Sequence, residues 1–586
     1  MTTEMNPALW PREEVDHYLA LSRSGRVYEP MVGESDHSMV VGSTGPFAQY
    51  CGVRALKAGG TAVDAAVVTA FAQVVLAAGA WVSMAGIAGM VIYDPKTGEV
   101  HSINGPYKAF RNETEPLTIP ATASGRTALV PGYFASIFAA HGRFGKLGWN
   151  DVLMPAIWLA DNGIPVSDIL LATIPGRRPV LERLPETREV FFANGEDVWK
   201  PGGWFEQPLL AGTLRKVAKD GPDYIYRGEW AKQFVERVSA EGGKVQMSDL
   251  ADYQPVWSKA TGARAYGHEV FSLGAPEDGG FTLIEGLRLL EALDVKDPVA
   301  DGESLYWFTQ VVLQSASTRE ISRAARVTDA EIKRTADAMR DRGGAVPPSE
   351  LRQGSHSDYV VAADGNGMMI AMCHTINSMM WGGTGINVGG ISIPDSAGFQ
   401  QSLLSTVNPG DYVPNVTNPN IVCKNGRPVL ASSAIGTGLI QTTLQCLHAF
   451  LALGMSVAEI VAHTLIHGAT LGTGDSVTSG GGSDGGKKLS DVLQSLQELG
   501  KRAAAQCSDP QDVTMYTLRL MATVIQEGAP AKVLEDARAR GVQIEEMANR
   551  NPLLPRGFWG AISLDPQTRH MLGARTAGAS GQVIGS

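Results

Sequence analysis

Residues 354–377 read GSHSDYVVAADGNGMMIAMCHTIN and crowd several reactive side chains into one short stretch. Ser355, His356 and Ser357 precede an apolar run, and Thr375 and Asn377 close it in a Thr-x-Asn pattern. A serine hydroxyl attacks an amide well only if a base takes its proton as the new bond forms. For a serine at the start of a strand that base can be a neighbouring side chain. It can also be the serine's own α-amine once the chain has been cut in front of it, because an amine with a pKa of about 8 suits proton transfer at neutral pH. The competing assignment for such a serine is a strand cap or a turn residue.

The elements around these residues follow from pattern. Tyr359 to Ala363 and Met368 to Cys373 are strand-like runs joined by Asp364-Gly365-Asn366-Gly367, a β-hairpin signal. Upstream, Met39-Val40-Val41 reads as a strand, 48–58 as a helix stopped by Gly59-Gly60, and 62–76 as a second, buried helix. The apolar run 62–93 is long enough to raise a membrane span, but Asp64, Gln73 and several glycines interrupt it, so a buried helix followed by a strand is expected. Residues 328–342 are helix-like, and 343–353, with Pro347-Pro348, read as an exposed linker just before Ser357. Residues 382–390 form a glycine-rich loop with Trp381 at its mouth; a phosphate cradle there would need a lysine in P-loop spacing, which is missing. Residues 473–488 are Gly/Ser-rich and read as a flexible loop, followed by helix-like segments at 489–505 and 513–527.

Bulk composition narrows the function classes. A chain of 586 residues with 44% hydrophobic residues can bury a large core, and a net charge of -11 argues against nucleic acid or an anionic membrane as partner. Five cysteines without metal-type spacing are expected to be reduced structural thiols. No basic-then-apolar leader opens the sequence, so the cytoplasm is the expected compartment. No cofactor and no metal are called for.

Several phrases together resemble the γ-glutamyltransferase family of N-terminal nucleophile (Ntn) hydrolases. GGTAVDAAV at 59–67 looks like the family's GGNAVDAAV, HTIN at 374–377 like its Y-T-L-N, and PVLASSAIGTG at 428–438 like the region that carries its paired glycines. ALVPGYFASIFAAHG, MSDLADY, PEDGG and the C-terminal FWGAISLDPQTRHMLGARTAG are also similar, so the resemblance spans nearly the whole chain apart from the first 35 residues and an insertion near 473–530.

That resemblance implies a four-layer αββα sandwich of the α/β (α+β) class, made by two subunits cut from one precursor. The large subunit would be 1–356 and the small one 357–586. Carried over residue by residue, it puts the nucleophile at Ser357, the threonine that orients it at Thr375, and the oxyanion-holding amides at Gly436 and Thr437. Asn377, Asp395 and Asn415 fall at substrate-contacting places, Met379, Met380 and Trp381 suggest an apolar pocket wall, and the cut falls between His356 and Ser357. A register anchored on the Gly365-Asn366 turn would move the nucleophile to Ser355.

Two departures bear on the substrate. The family's arginine that clamps the donor carboxylate aligns with Pro106, and its paired serines align with Asn415 and Val416, so a bidentate carboxylate contact is lost. Lys108 lies two residues beyond Pro106. The expected activity is therefore that of a self-processing amidohydrolase acting on a small-molecule amide whose acyl group is not a standard γ-glutamyl. The alternatives are a true glutathione hydrolase and transpeptidase, and an unprocessed, non-catalytic relative. A heterodimer of the chain's own two fragments is expected, with a higher oligomer left open.

Overall fold

Two seven-stranded sheets, antiparallel throughout, form the centre of the molecule. A computed structural model of the chain describes residues 3–114, 117, 120, 122–193, 198–316, 322–344, 357–399, 404, 407–436, 438–468, 523–542, 544–548 and 557–586. The first sheet runs in the order Val583–Gly585, Met39–Gly42, Ser357–Ala363, Met369–Thr375, Ile87–Asp94, Glu99–Gly105, Val256–Lys259. The second runs Met31–Ser35, Met571–Arg575, Phe558–Leu564, Arg427–Ile435, Asn420–Lys424, His268–Ser272, Thr261–Ala265.

The central strands are apolar on both faces because both faces are covered. Tyr359, Val361, Ala363, Met369, Ala371 and Cys373 pack against Ile421, Ala431, Ile562 and Met571 of the other sheet. Their alternates Val360, Ala362, Ile370 and Met372 pack against a helical layer that includes Ala62–Leu76. That helix is buried along its whole length and opens with a capping box between Thr61 and Asp64. A second helical layer, with Gly279–Ala292, Gly302–Ala316, Asp329–Arg342 and Leu439–Leu451, covers the outer face of the second sheet. The result is the αββα sandwich expected from the motifs.

Both sheets contain strands from before and after Ser357, so a cut there divides the chain without dividing the core. The 473–530 block differs from expectation where it is described. Thr523–Gln526 is a strand, not the end of a helix, paired in parallel with Ile544–Met547 and antiparallel with Ile466–Gly468. Its β-branched Thr-Val-Ile run suits a pleated, buried setting. The rest of the expected loop and helices, 473–522, lies outside the described residues, as does 345–353 of the expected linker. The glycine-rich stretch after Trp381 is not an open loop; it holds a small hairpin of Ile386–Val388 and Ile391–Ile393. Among the described residues no helix is long and apolar enough to cross a membrane. Cys51, Cys373, Cys423 and Cys446 are buried free thiols.

Candidate active site

Ser357 is the first residue of its strand and stands directly opposite Thr375, which in turn stands opposite Ile87. Alternation fixes where the side chains go. Tyr359 and Val361, in phase with Ser357, and Cys373 and Ala371, in phase with Thr375, all face the second sheet, so both hydroxyls point into the space between the sheets. Ser357 is 7% exposed and Thr375 1%.

The corresponding ends of the two sheets are tied together here. Asn104 Nδ2 donates to the Gly274 carbonyl at 3.1 Å, Arg575 Nε donates to the Gly581 carbonyl at 2.6 Å, and the Gly581 N–H donates to the Ser43 carbonyl at 2.8 Å. The second sheet contributes Gly436 at this end. It follows the strand Arg427–Ile435 with φ +89°, a conformation open to glycine, and precedes the helix Leu439–Leu451. Thr437 lies outside the described residues, as do Ser355 and His356.

Beyond Thr375 the chain turns sharply. Thr375 Oγ1 accepts the Asn377 N–H at 3.0 Å, and Asn377 has φ +48°. The carbonyl of Ile376 between them accepts Tyr107 Oη at 3.1 Å and Ser396 Oγ at 2.6 Å, which holds the Thr-x-Asn segment still. Ser378 Oγ donates to the Asp395 carboxylate, which is buried and closely approached by Gly382 and Gly383. Trp381 sits elsewhere: its Nε1 donates to the Ala78 carbonyl at 2.9 Å and its ring meets Phe191 edge-on at 5.7 Å. It is a member of the helix-side core.

Pro106 lies along the same edge. Ala88 pairs with Gly105, so Pro106 falls level with Ile87, Thr375 and Ser357, three strand spacings or ~14 Å from the serine. The Pro106 carbonyl accepts Tyr253 Oη at 2.6 Å. Lys108 does not occupy the missing arginine's place in any simple way, since its Nζ lies over the Tyr412 ring at 5.3 Å. Asn415 turns its Oδ1 to the N–H groups of Val416 and Thr417 at 2.6 and 3.2 Å, and its carbonyl takes the N–H groups of Asp278 and Gly279 at 2.9 and 3.1 Å.

Two acids beside the site were not singled out from sequence. Glu277 is buried, its Oε2 has no partner, and burial pushes its carboxyl up to about 8 although the Asn415 N–H and the Arg323 charge pull the other way. Asp358, the residue after Ser357, is buried and accepts hydrogen bonds from Ser43, Thr44 and Trp81. Each had a visible signal: an acid in the PEDGG phrase and a lone charge in an apolar strand. Among the described residues no group of three or more His, Cys, Asp or Glu side chains is arranged to hold a metal ion.

Comparison with known proteins agrees with this layout. Residues 48–545 match the family model described as gamma-glutamyltranspeptidase. The glutathione hydrolase proenzyme of Escherichia coli (strain K12) is 28% identical over 466 residues, covering 72% of this chain and 79% of that protein. The glutathione hydrolase proenzyme of Bacillus subtilis (strain 168) is 25% identical over 529 residues, covering 79% and 85%. Among solved structures, the cephalosporin acylase from Bacillus halodurans superposes with a TM-score of 0.73 at 20% identity, covering 95% of this chain and 97% of that one. With a family match running through most of its length and the sandwich intact around Ser357 and Thr375, the chain belongs to the gamma-glutamyltranspeptidase family of Ntn hydrolases and is an enzyme of that family.

Proposed function

We propose that the chain is a self-processing amide hydrolase whose nucleophile is Ser357, freed as an N-terminus by a cut after His356, and whose acyl donor is not a standard γ-glutamyl compound. The observation that carries the nucleophile assignment is the in-register pair Ser357 and Thr375, with Asn377 held two residues on.

In the precursor, Ser357 Oγ attacks the His356 carbonyl carbon, the peptide C–N bond breaks as its nitrogen takes up the proton, and water hydrolyses the resulting ester. This leaves a carboxylate on His356 and a free amine on Ser357. In turnover that amine takes the proton from Ser357 Oγ as the oxygen attacks the substrate amide, then passes it to the departing nitrogen. The Gly436 and Thr437 N–H groups hold the oxyanion, a contribution of about 3 kcal/mol per donor. Water, or an amine acceptor, releases the acyl group. Thr375 orients the hydroxyl, and Asn377, Asp395 and Asn415 serve substrate binding.

The donor assignment is supported by Pro106, which brings neither charge nor side-chain donor, in the arginine's place. A second reading, glutathione hydrolysis, has the relatives' names behind it and one cation: Arg323, partly exposed, bonded through Nε to Asp278 at 3.0 Å. N-terminal sequencing of the smaller fragment tests the nucleophile, and kinetics on γ-glutamyl and uncharged anilides separate the two donors.

A further inference from the structure

The strand that begins at Ser357 is supported unequally. Its partner on one side, Met369–Thr375, reaches back to Ser357 itself. On the other side Met39–Gly42 pairs only as far as Val360, opposite Gly42. Residues 357–359 therefore lack a strand on that flank, where a chain end made by a cut would fray most easily. What stands there is the bend at Ser43 and Thr44. The Ser43 N–H donates to the Tyr359 carbonyl at 3.3 Å, and the Tyr359 N–H donates back to Ser43 Oγ at 2.9 Å.

Asp358 completes this contact through its side chain. Its Oδ1 accepts Ser43 Oγ at 2.6 Å and Thr44 Oγ1 at 2.7 Å, and its Oδ2 accepts Trp81 Nε1 at 2.9 Å. Gln73 Nε2 braces the same spot by donating to the carbonyls of Thr44 and Tyr359, both at 3.3 Å. No Lys or Arg among the described residues forms an ion pair with Asp358, so three neutral donors hold a fully buried carboxylate. Burying an acid without a cation is costly, and an apolar or hydroxyl residue at 358 would fill a strand position at less expense. A rule broken at the residue next to the nucleophile points to function.

We propose that Asp358 is a positioning residue for Ser357: clamped by Ser43, Thr44 and Trp81, it fixes the backbone at 357–359 so that the serine hydroxyl, and after the cut its amine, stay in the row with Thr375. This rests on Ser357 being the nucleophile. The clamp works through the ionised carboxylate, which burial holds up at about 6. The other titratable groups facing it change charge far from that value. His374, opposite in register, is pushed down to about 3 by burial, and burial pushes Tyr133, Tyr359 and Cys373 up. His356 precedes the cut in sequence, and the test below replaces it so that its imidazole does not enter the pH profile.

The self-cut is the readout, since it needs no added substrate: precursor is followed to two fragments on denaturing gels from pH 5 to 8, in a His356→Gln background, for the parent, Ser357→Ala, Asp358→Asn and Thr44→Val. The parent should slow below a limb near pH 6. Asp358→Asn should cut about a hundredfold more slowly and lose the limb, because displacing a reacting group by an ångström typically costs about that factor. Thr44→Val, which keeps the volume and will fold if the Asn variant does not, removes a donor from the ionised form. It should cut several-fold more slowly with its limb moved to higher pH. If Asp358→Asn and Thr44→Val keep the parental rate and profile, or if cutting falls only in step with melting temperature and the limb stays put, Asp358 does not position the nucleophile. Ser357→Ala separates the two claims: a Ser357→Ala protein that still cuts removes the underlying reading, whereas an uncut one beside an unaffected Asp358→Asn removes only the clamp.

Discussion

Tyr253 donates its hydroxyl to the carbonyl of Pro106 at 2.6 Å, and this contact stands where the family's carboxylate-binding arginine would begin. Burial above all holds the Tyr253 phenol above the ordinary tyrosine range, with Tyr226, Tyr412 and, least, Glu277 adding to it. Pro106 thus brings no side-chain donor and no charge to this edge of the sheet, and a buried acid lies close by.

Two fragments meeting at 356 and 357 are expected in the purified protein. Edman sequencing of the smaller one should begin Ser-Asp-Tyr. A start at Ser355 would shift the nucleophile by two residues, and a single uncut chain would remove self-processing altogether.

Replacing Ser357 by Ala should leave a folded, intact and inactive precursor. Thr375→Val should cut and turn over about tenfold more slowly or worse, because it strips a hydrogen-bond acceptor from the buried Asn377 N–H, an unmade bond worth about 1 to 3 kcal/mol. Thr375→Ser, which restores the oxygen, should recover most of the loss; if it does not, the hydroxyl is not what matters at this position.

The hairpin at the site was legible because its DGNG turn and its unbroken apolar strands satisfy two independent signals at once. The helix 62–76 was legible from its apolar run, and the structure adds the capping box of Thr61 and Asp64 that opens it. Thr523–Gln526 was not: four residues carry no reliable period, and the parallel partner Ile544–Met547 that makes them a strand is set by tertiary packing. Pro106 could be read from the sequence, but the buried acid near it could not. Glu277 reaches the site because Gly279 packs flat on the carbonyls of Val416 and Thr417, where a Cβ would come within 2.2 Å of either oxygen. No spacing in the chain announces that approach.

Glu277 gives a stability prediction with a definite sign. Its folded carboxyl is held at about 8, above the unfolded range, so the folded protein binds the extra proton and stability falls as pH rises from about 4 to 8. Glu277→Gln removes that dependence. Thermal melts at pH 5 and pH 8 should show a smaller drop for the Gln variant than for the parent; an equal or larger drop would mean that Glu277 is not a source of the slope.

The last prediction concerns the acyl donor. A γ-glutamyl α-carboxylate bound here would find Pro106, which has no side-chain donor, in place of arginine, and the neutral Nδ2 of Asn415 in place of paired hydroxyls. Each charge-assisted hydrogen bond it fails to make is worth about 1.5 to 3 kcal/mol, about one to two powers of ten in affinity. γ-Glutamyl anilides should therefore be hydrolysed slowly, with the deficit in KM as much as in kcat, while anilides of uncharged acyl groups of similar length should be turned over faster. Steady-state kinetics on matched pairs of the two decide between them. Among the described residues, the partly exposed cation bonded to Asp278 is Arg323. If γ-glutamyl anilide proves the better substrate, and Arg323→Gln abolishes that preference while sparing the uncharged anilide, then Arg323 has rebuilt the carboxylate clamp from the opposite side of the site and glutathione hydrolysis is the function.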